Sequence, residues 1–425
     1  MTERLWTSRD ALCSNFPLLA FAPALLCALT IIAMPSMQAQ TMHTLHVFTG
    51  GGDGSQPFAG VTLDRDGNLY GTTNDPNSDG GVYELVRQGS DWIFKPLYNF
   101  QPQNDGQHPI APVAFGPDGA LYGTTALGGY NHDGTPAWCG TVYGLHPSSE
   151  PCESAICLLN ETRVYWFGGD EPNDGYQPNY GSLLFDSAGN VYGTTFYGGT
   201  YDRGTAYELL KTQDGWSENI IYNFRGHGAP VNPQAGLTFD SVGNLYGTGF
   251  GGSNGFVYEL VHSGQGWDEQ TIYSFQGGND GAYPVGGLIF DANGNAYGTT
   301  EGSYTSPPGT VFQLSPQADG TWRETVLHHF DLGANGPVSN LAMDAAGNLY
   351  GTTPGSPTQD DRWGMVFRLS PVNGSWVFTQ LYEFTNGSDG ANPAGGVSID
   401  SSGNLYGACT NGGANGLGTV WEITP

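Results

Sequence analysis

The sequence predicts an all-β fold: a seven-bladed β-propeller of four-stranded antiparallel blades. Three observations carry that prediction. The segment Gly67-Asn68-Leu69-Tyr70-Gly71-Thr72-Thr73 returns six times, centred on Tyr122, Tyr192, Tyr246, Tyr297, Tyr350 and Tyr406. The copies lie about 50 residues apart, with one longer interval after Tyr122, which marks a repeat architecture. Each copy sits among four apolar-rich runs separated by Gly, Asn and Asp, the pattern of strands joined by hairpins. The chain also starts and stops within a repeat. Thr44-Leu45-His46-Val47-Phe48 matches only a fourth strand, and Gly418-Thr419-Val420-Trp421-Glu422-Ile423 is a third strand with no fourth after it. A ring closed by the N-terminal strand pairing with the C-terminal blade leaves neither edge open.

In chain order, residues 1–39 come first. Arg4 and Arg9 precede an uncharged, mostly apolar run from Phe16 to Met34, and Met37-Gln38-Ala39 ends in a small residue. This pattern reads as a signal peptide. It leaves residues 40–425 as one propeller domain, exported to the extracellular space or cell surface. No other apolar stretch is long enough for a membrane helix. Arg4, Arg9, Glu3 and Asp10 cancel, so the net charge of −28 is unchanged without the leader. Such an acidic chain without a basic patch is a poor nucleic-acid partner. Cys152 and Cys157 fall in a segment that only the second repeat has and are expected to form a disulfide; Cys139 and Cys409 are left open.

Within the first full repeat, Val61-Thr62-Leu63 is the first strand and Leu69 to Thr73 the second. Val82-Tyr83-Glu84-Leu85 is the third, and Trp92 to Phe100 the fourth. Asp64 and its counterparts Asp186, Asp240, Asp291, Asp344 and Asp400 cap backbone amides of the first hairpin. The repeated tyrosines are expected to be buried between blades, with the glycine after each admitting the adjacent blade.

The unit Asp-x-x-Gly-Asn-Leu-Tyr-Gly-Thr-Thr … Gly-Gly … Gly-Thr-Val-Tyr-x-Leu resembles the bacterial GloVer (Gloeo/Verruco) tandem repeat over roughly residues 45–425. That repeat occurs in exported "choice-of-anchor" proteins. The resemblance implies export and surface association and no established activity. Members often carry a C-terminal sorting anchor, whereas this chain stops at Ile423-Thr424-Pro425, so secretion without a protein anchor is expected.

Function is sought on the loops. In a four-stranded blade, the loop leaving the fourth strand and the loop between strands two and three share one face. The first set repeats Asp-Gly-x-x-Pro at Asp53, Asp105, Asp174, Asp280 and Asp389. A ring of carboxylates offers oxygen ligands to calcium. No copy has the Asp-rich spacing of a calcium loop, so a turn capped by Asp is preferred and no cofactor is expected. The second set varies most and carries aromatics. Tyr130, Trp138, Tyr197, Tyr201 and Trp363 are the expected ligand contacts, with Asp105 and Asp174 as polar partners. His108 and His132 fall on the same face and are a candidate pair. No nucleophile elbow, phosphate loop or zinc spacing is present. The favoured reading is a monomeric, non-catalytic binding module for polysaccharide or a surface protein. A carbohydrate-active hydrolase or lyase with carboxylates near the channel is the alternative, and a purely structural extracellular repeat protein is the third.

Overall fold

The computed structural model describes residues 40–76, 78–101, 105–129, 138–147, 159–168, 173–178, 181–226, 231–264, 266–302, 309–330, 336–356 and 362–425. The expected signal segment, Tyr130, His132 and the Cys152–Cys157 pair lie outside these residues. Among the described residues Cys139 and Cys409 are free thiols.

Seven four-stranded antiparallel sheets form the ring. The first blade runs outward through Thr62–Leu63, Leu69–Thr73, Gly81–Gln88 and Asp91–Asn99, and the other blades follow the same order. The last blade is composite. Its outer strand is Thr41–Val47, paired antiparallel with Thr419–Thr424 from Thr41↔Thr424 to Val47↔Thr419. The predicted closure is therefore the observed one. Helical structure among the described residues is the single 3-10 turn Gly278–Asp280.

The core is not one cluster but seven, one at each junction between blades. Every fourth strand ends in a buried Phe that meets the third-strand ring of the next blade. The pairs are Phe48–Tyr83, Phe100–Tyr143, Phe167–Tyr207, Phe224–Tyr258, Phe275–Phe312, Phe330–Phe367 and Phe384–Trp421. Six are edge-to-face and the last is tilted, with centroids 4.9–5.8 Å apart. Such pairs contribute about 0.5–1.5 kcal/mol each beyond the area they bury. Nearer the channel, hydroxyls stitch neighbours together. The first Thr of Gly-Thr-Thr donates to a carbonyl of the next blade, as in Thr194 to Ala235 (3.0 Å), Thr299 to Ser339 (3.1 Å) and Thr352 to Gly395 (2.8 Å).

The repeated tyrosines lie at the junctions as expected. Tyr122, Tyr192, Tyr246, Tyr297 and Tyr406 are buried, and Tyr70 and Tyr350 are half-buried. Each hydroxyl donates to the hairpin Asp of its own blade, for example Tyr297 to Asp291 at 3.0 Å. That Asp also caps the turn: Asp291 Oδ1 accepts from the Asn293 and Asn295 amides. The second blade has Asp118 two residues later in the turn, and it still accepts from Tyr122 at 2.8 Å.

The glycines following these tyrosines have a different role from the one expected. A Cβ on Gly193 or Gly247 would stand 2.3 Å from the hydroxyl of Tyr207 or Tyr258, the third-strand ring of the same blade. They make room within the blade, because the third-strand ring must lie flat over the second strand to reach the Phe of the preceding blade.

Candidate ligand-binding face

The two loop sets do share a face, since they hydrogen-bond to each other. Gly175–Tyr176 pairs with Tyr197–Gly198, and isolated bridges join Gln107 to Leu127, Pro233 to Gly249, Pro284 to Thr300 and Ala391 to Asn411. Each contact is made by the stretch that ends in the Pro after the turn, at Pro233 and Pro284 by the Pro itself. Its last residue before Pro takes the left-handed conformation in six blades: Gln56, His108, Gln177, Asn232, Tyr283 and Asn392 have φ between 50° and 60°. That conformation disfavours residues with a Cβ, yet here it recurs because it aims two backbone groups at once. Gln177, for example, donates its N–H to the Cys139 carbonyl of the preceding blade and accepts from Phe196 N–H in its own.

The turn carboxylates face inward. Asp105 and Asp174, expected as polar partners of a ligand, are only 4% and 8% exposed. Asp105 accepts from the Gln101 amide and the Tyr98 hydroxyl, and Asp174 from the Gly168 amide and the Tyr165 hydroxyl. Asp53 and Asp389 accept from Thr49 and Thr385 in the same way. These bonds brace the turn, while Asp174 Oδ1 is buried without a described partner. Among the described residues no three His, Cys, Asp or Glu side chains gather as a metal would require.

Behind several of the turns lies a pair that couples adjacent outer strands. Four residues before the outer aromatic of the fourth strand (Tyr165, Tyr222, Tyr273 and His328), blades two to five carry Glu161, Glu218, Glu269 and Glu324. Tyr165 donates to Glu218 (3.0 Å) and Tyr222 to Glu269 (3.4 Å) across the junction. Where that position is Phe, the preceding blade has His instead, stacked on it: His46 on Phe94 at 4.4 Å and His328 on Phe378 at 4.0 Å. The exchange is complementary, a hydroxyl for a carboxylate or an imidazole face for a phenyl face.

Several of these acids are easier to protonate than usual. Burial and the Asp105 carboxylate push Glu161 up to about 7, burial and Asp280 push Glu324 up to about 7, and burial pushes Asp174 up to about 6. They bind protons more tightly folded than unfolded. The stability they contribute is complete below the unfolded carboxylate range near pH 4 and is lost as pH rises through about 6–7. Asp291 and Asp344 behave oppositely. Against the effect of burial, turn donors hold them below the ordinary value, so their contribution is lost as pH falls below about 4. The melting temperature is therefore expected to peak near about pH 5 and decline toward pH 8, and Glu161→Gln with Glu324→Gln should flatten that decline. A melting temperature that climbs from pH 5 to pH 8 would contradict this assignment.

The surface of the face is aromatic on one side. Among the described residues, the exposed Trp, Tyr and Phe side chains are Trp138 (63%), Tyr201 (49%), Tyr197 (37%) and Phe250 (36%). All four lie on the loops between strands two and three of blades two, three and four. Tyr197 stacks on Tyr176 (5.4 Å, 22° between planes), and Tyr176 donates to Asp202 at 2.9 Å. Phe250 stacks on Tyr283 of the next blade (5.0 Å, 24°). The loops are tied in series, since Asn232 of blade four donates its side-chain amide to the Phe196 carbonyl of blade three. Trp363 lies apart and half-buried, packed on the junction of blades six and seven. His108 is occupied by Asn74, 2.5 Å away. Sequence reasoning missed Tyr176 and Tyr283, which belong to the loop set it read as a uniform turn.

Fold and loops together define a repeat propeller with one regular face and one variable face. The chain belongs to the Gloeobacter/Verrucomicrobia repeat family, which matches residues 30–249, 138–356 and 323–425. Among solved structures it is similar to a candidate 6-phosphogluconolactonase from Bacteroides uniformis, with 16% identity, 80% of this chain and 88% of that chain covered, and a TM-score of 0.51. It is also similar to a candidate 6-phosphogluconolactonase from Bacteroides fragilis, at 15% identity, 89% and 100% coverage and a TM-score of 0.48. At these identities the likeness shows the fold alone. No curated protein matches the chain. No helix among the described residues is long and apolar enough to cross a membrane.

Proposed function

We propose that this protein is an exported, non-catalytic module that binds polysaccharide on the variable-loop face of blades two to four. The observation that carries the reading is the grouping of Trp138, Tyr197, Tyr201 and Phe250, with Tyr176 and Tyr283 as stacked supports. Large exposed apolar groups collected on one side of a protein mark an interaction surface. Flat rings held by loop-to-loop bonds offer faces to sugar C–H groups at low entropic cost, and Asp202 supplies a polar edge. The acidic surface favours neutral or cationic glycans. Residues 1–39 would direct export. The hydrolase alternative needs two carboxylates flanking one bond, whereas the described residues lining the channel cavity contribute one, Glu301.

The test is a glycan array and polysaccharide pull-down with residues 40–425. Trp138→Ala and Tyr197→Ala should each weaken binding by about 1–2 kcal/mol, or roughly 5–30-fold. Val242→Ser, on the regular face, should leave it unchanged. Binding that survives both aromatic substitutions would overturn the site, and capture of proteins rather than glycans would overturn the ligand class.

A further inference from the structure

The channel mouth holds a second feature that the surface reading does not use. A cavity of about 570 Å³ opens among the innermost segments, and all seven blades line it. That volume lies in the range of small-molecule sites, about 300–1,000 Å³. Its wall includes Glu301, Pro354, Asn392, Thr410 and Asn411 from the two loop sets, so it lies at the variable-face end of the channel.

The cavity's charge is lopsided. Among its described lining residues there is no Lys, Arg or His, and Glu301 is the one acid. Glu301 follows the Gly-Thr-Thr of the fifth blade, where the other blades carry Asn74, Ala126, Phe196, Phe250, Pro354 and Thr410. The repeat therefore does not require an acid there. The backbone of Glu301 is fully used: its N–H donates to Tyr283 and its carbonyl accepts from Gly336, each at 3.0 Å. Its carboxyl has no donor among the described residues, and burial raises its proton affinity above that of an ordinary glutamate. Gln234 lies in the same wall, but its Oε1 is enclosed and offers the cavity no acceptor. Charges taken from water are normally paired, so a half-buried carboxyl with no described donor, in a wall without a cationic side chain, favours an occupant that donates.

The rest of the wall narrows the class. Asn340 and Asn392 are fixed through their oxygens by the Gly287 and Gly355 amides, at 2.6 and 3.0 Å. Asn411 accepts from the Asn392 side-chain amide at 2.9 Å. Phe58, Ile110, Val285 and Val338 supply apolar surface. The site thus presents one half-buried acid without a described donor, beside oriented amides and an apolar wall.

We infer that this cavity binds a small organic ammonium ligand of amino-sugar size, with Glu301 as counter-ion to the ammonium group. An ammonium supplies several donors and cancels the half-buried charge. The site is independent of the aromatic surface, so either can fail without the other.

The experiment is calorimetric titration of residues 40–425 near neutral pH with glucosamine, galactosamine and putrescine, and with glucose and galactose as uncharged controls. At least one amine should bind about tenfold or more tightly than the uncharged sugars. Glu301→Gln should remove that preference while leaving the fold intact by thermal melting, and Trp138→Ala should not affect it. Equal binding of amines and uncharged sugars, no binding of any amine at millimolar concentration, or amine binding unchanged in Glu301→Gln would each overturn the proposal. The last result would mean that cavity water solvates the carboxyl.

Discussion

A chain lacking residues 41–48 is expected to lose the folded monomer and to appear as soluble oligomers or precipitate. The deletion removes the strand Thr41–Val47, which covers Thr419–Thr424. It also removes Phe48, which is fully buried between the last blade and the first. What remains is an open edge of sequence Thr-Val-Trp-Glu-Ile-Thr with its ladder of N–H and C=O groups unpaired. Edges of this kind template pairing between chains. One of the seven ring pairs, Phe48–Tyr83, is lost as well, and the ring can no longer close. Light scattering coupled to size exclusion, with thermal melting, decides the point. A monomer with an unchanged melt would mean that closure contributes little.

Replacement of Tyr297 by Ala should cost about 3–5 kcal/mol, the range for large aromatic truncations in a core. Tyr297 packs with Val311, Phe330, Leu341, Leu349 and Phe367 and meets Trp376 of the next blade at 5.9 Å. Its hydroxyl also satisfies Asp291 and accepts from Gln313 at 3.0 Å. Truncation therefore opens a cavity and removes a donor from a turn carboxylate. Tyr297→Phe keeps the ring and should cost about 1 kcal/mol. Tyr201→Ala, on the open loop, should stay within about 0.5 kcal/mol. Denaturant melts of the three variants test the series; similar losses for Tyr297→Ala and Tyr201→Ala would contradict the assignment of core and surface.

Strand order, blade number and closure were legible because a repeated side-chain pattern constrains the backbone seven times over. The buried tyrosines were legible for the same reason. Other features turned on orientation, which alternation does not report in loops. Asp105 and Asp174 read as candidate ligand groups, but their turns bring the preceding amide and tyrosine onto the carboxylate. Tyr176 and Tyr283 read as filler in a turn motif, yet the bridge to the neighbouring loop brings each under a ring. The glycines of Gly-Thr-Thr invited the thought of an approaching blade, whereas the ring above them comes from their own. One missed signal is present in the residues themselves. Aligning the fourth strands places Glu four residues before the outer aromatic in four blades, Phe facing a His of the preceding blade in two, and Met42 in the last. Glu301 is likewise visible as the one acid among seven equivalent positions, though only the cavity gives that exception a meaning.

Hydroxyl-radical footprinting with and without a bound polysaccharide tests the central claim most directly, because it reads every exposed side chain in one experiment. The account predicts reduced oxidation of Trp138, Tyr197, Tyr201 and Phe250 in the complex. Ile93, Val242 and Val372, exposed on the outer strands and regular hairpins, should react as before. Protection confined to Val242 and Val372, with the four aromatic rings still fully reactive in the complex, would contradict it.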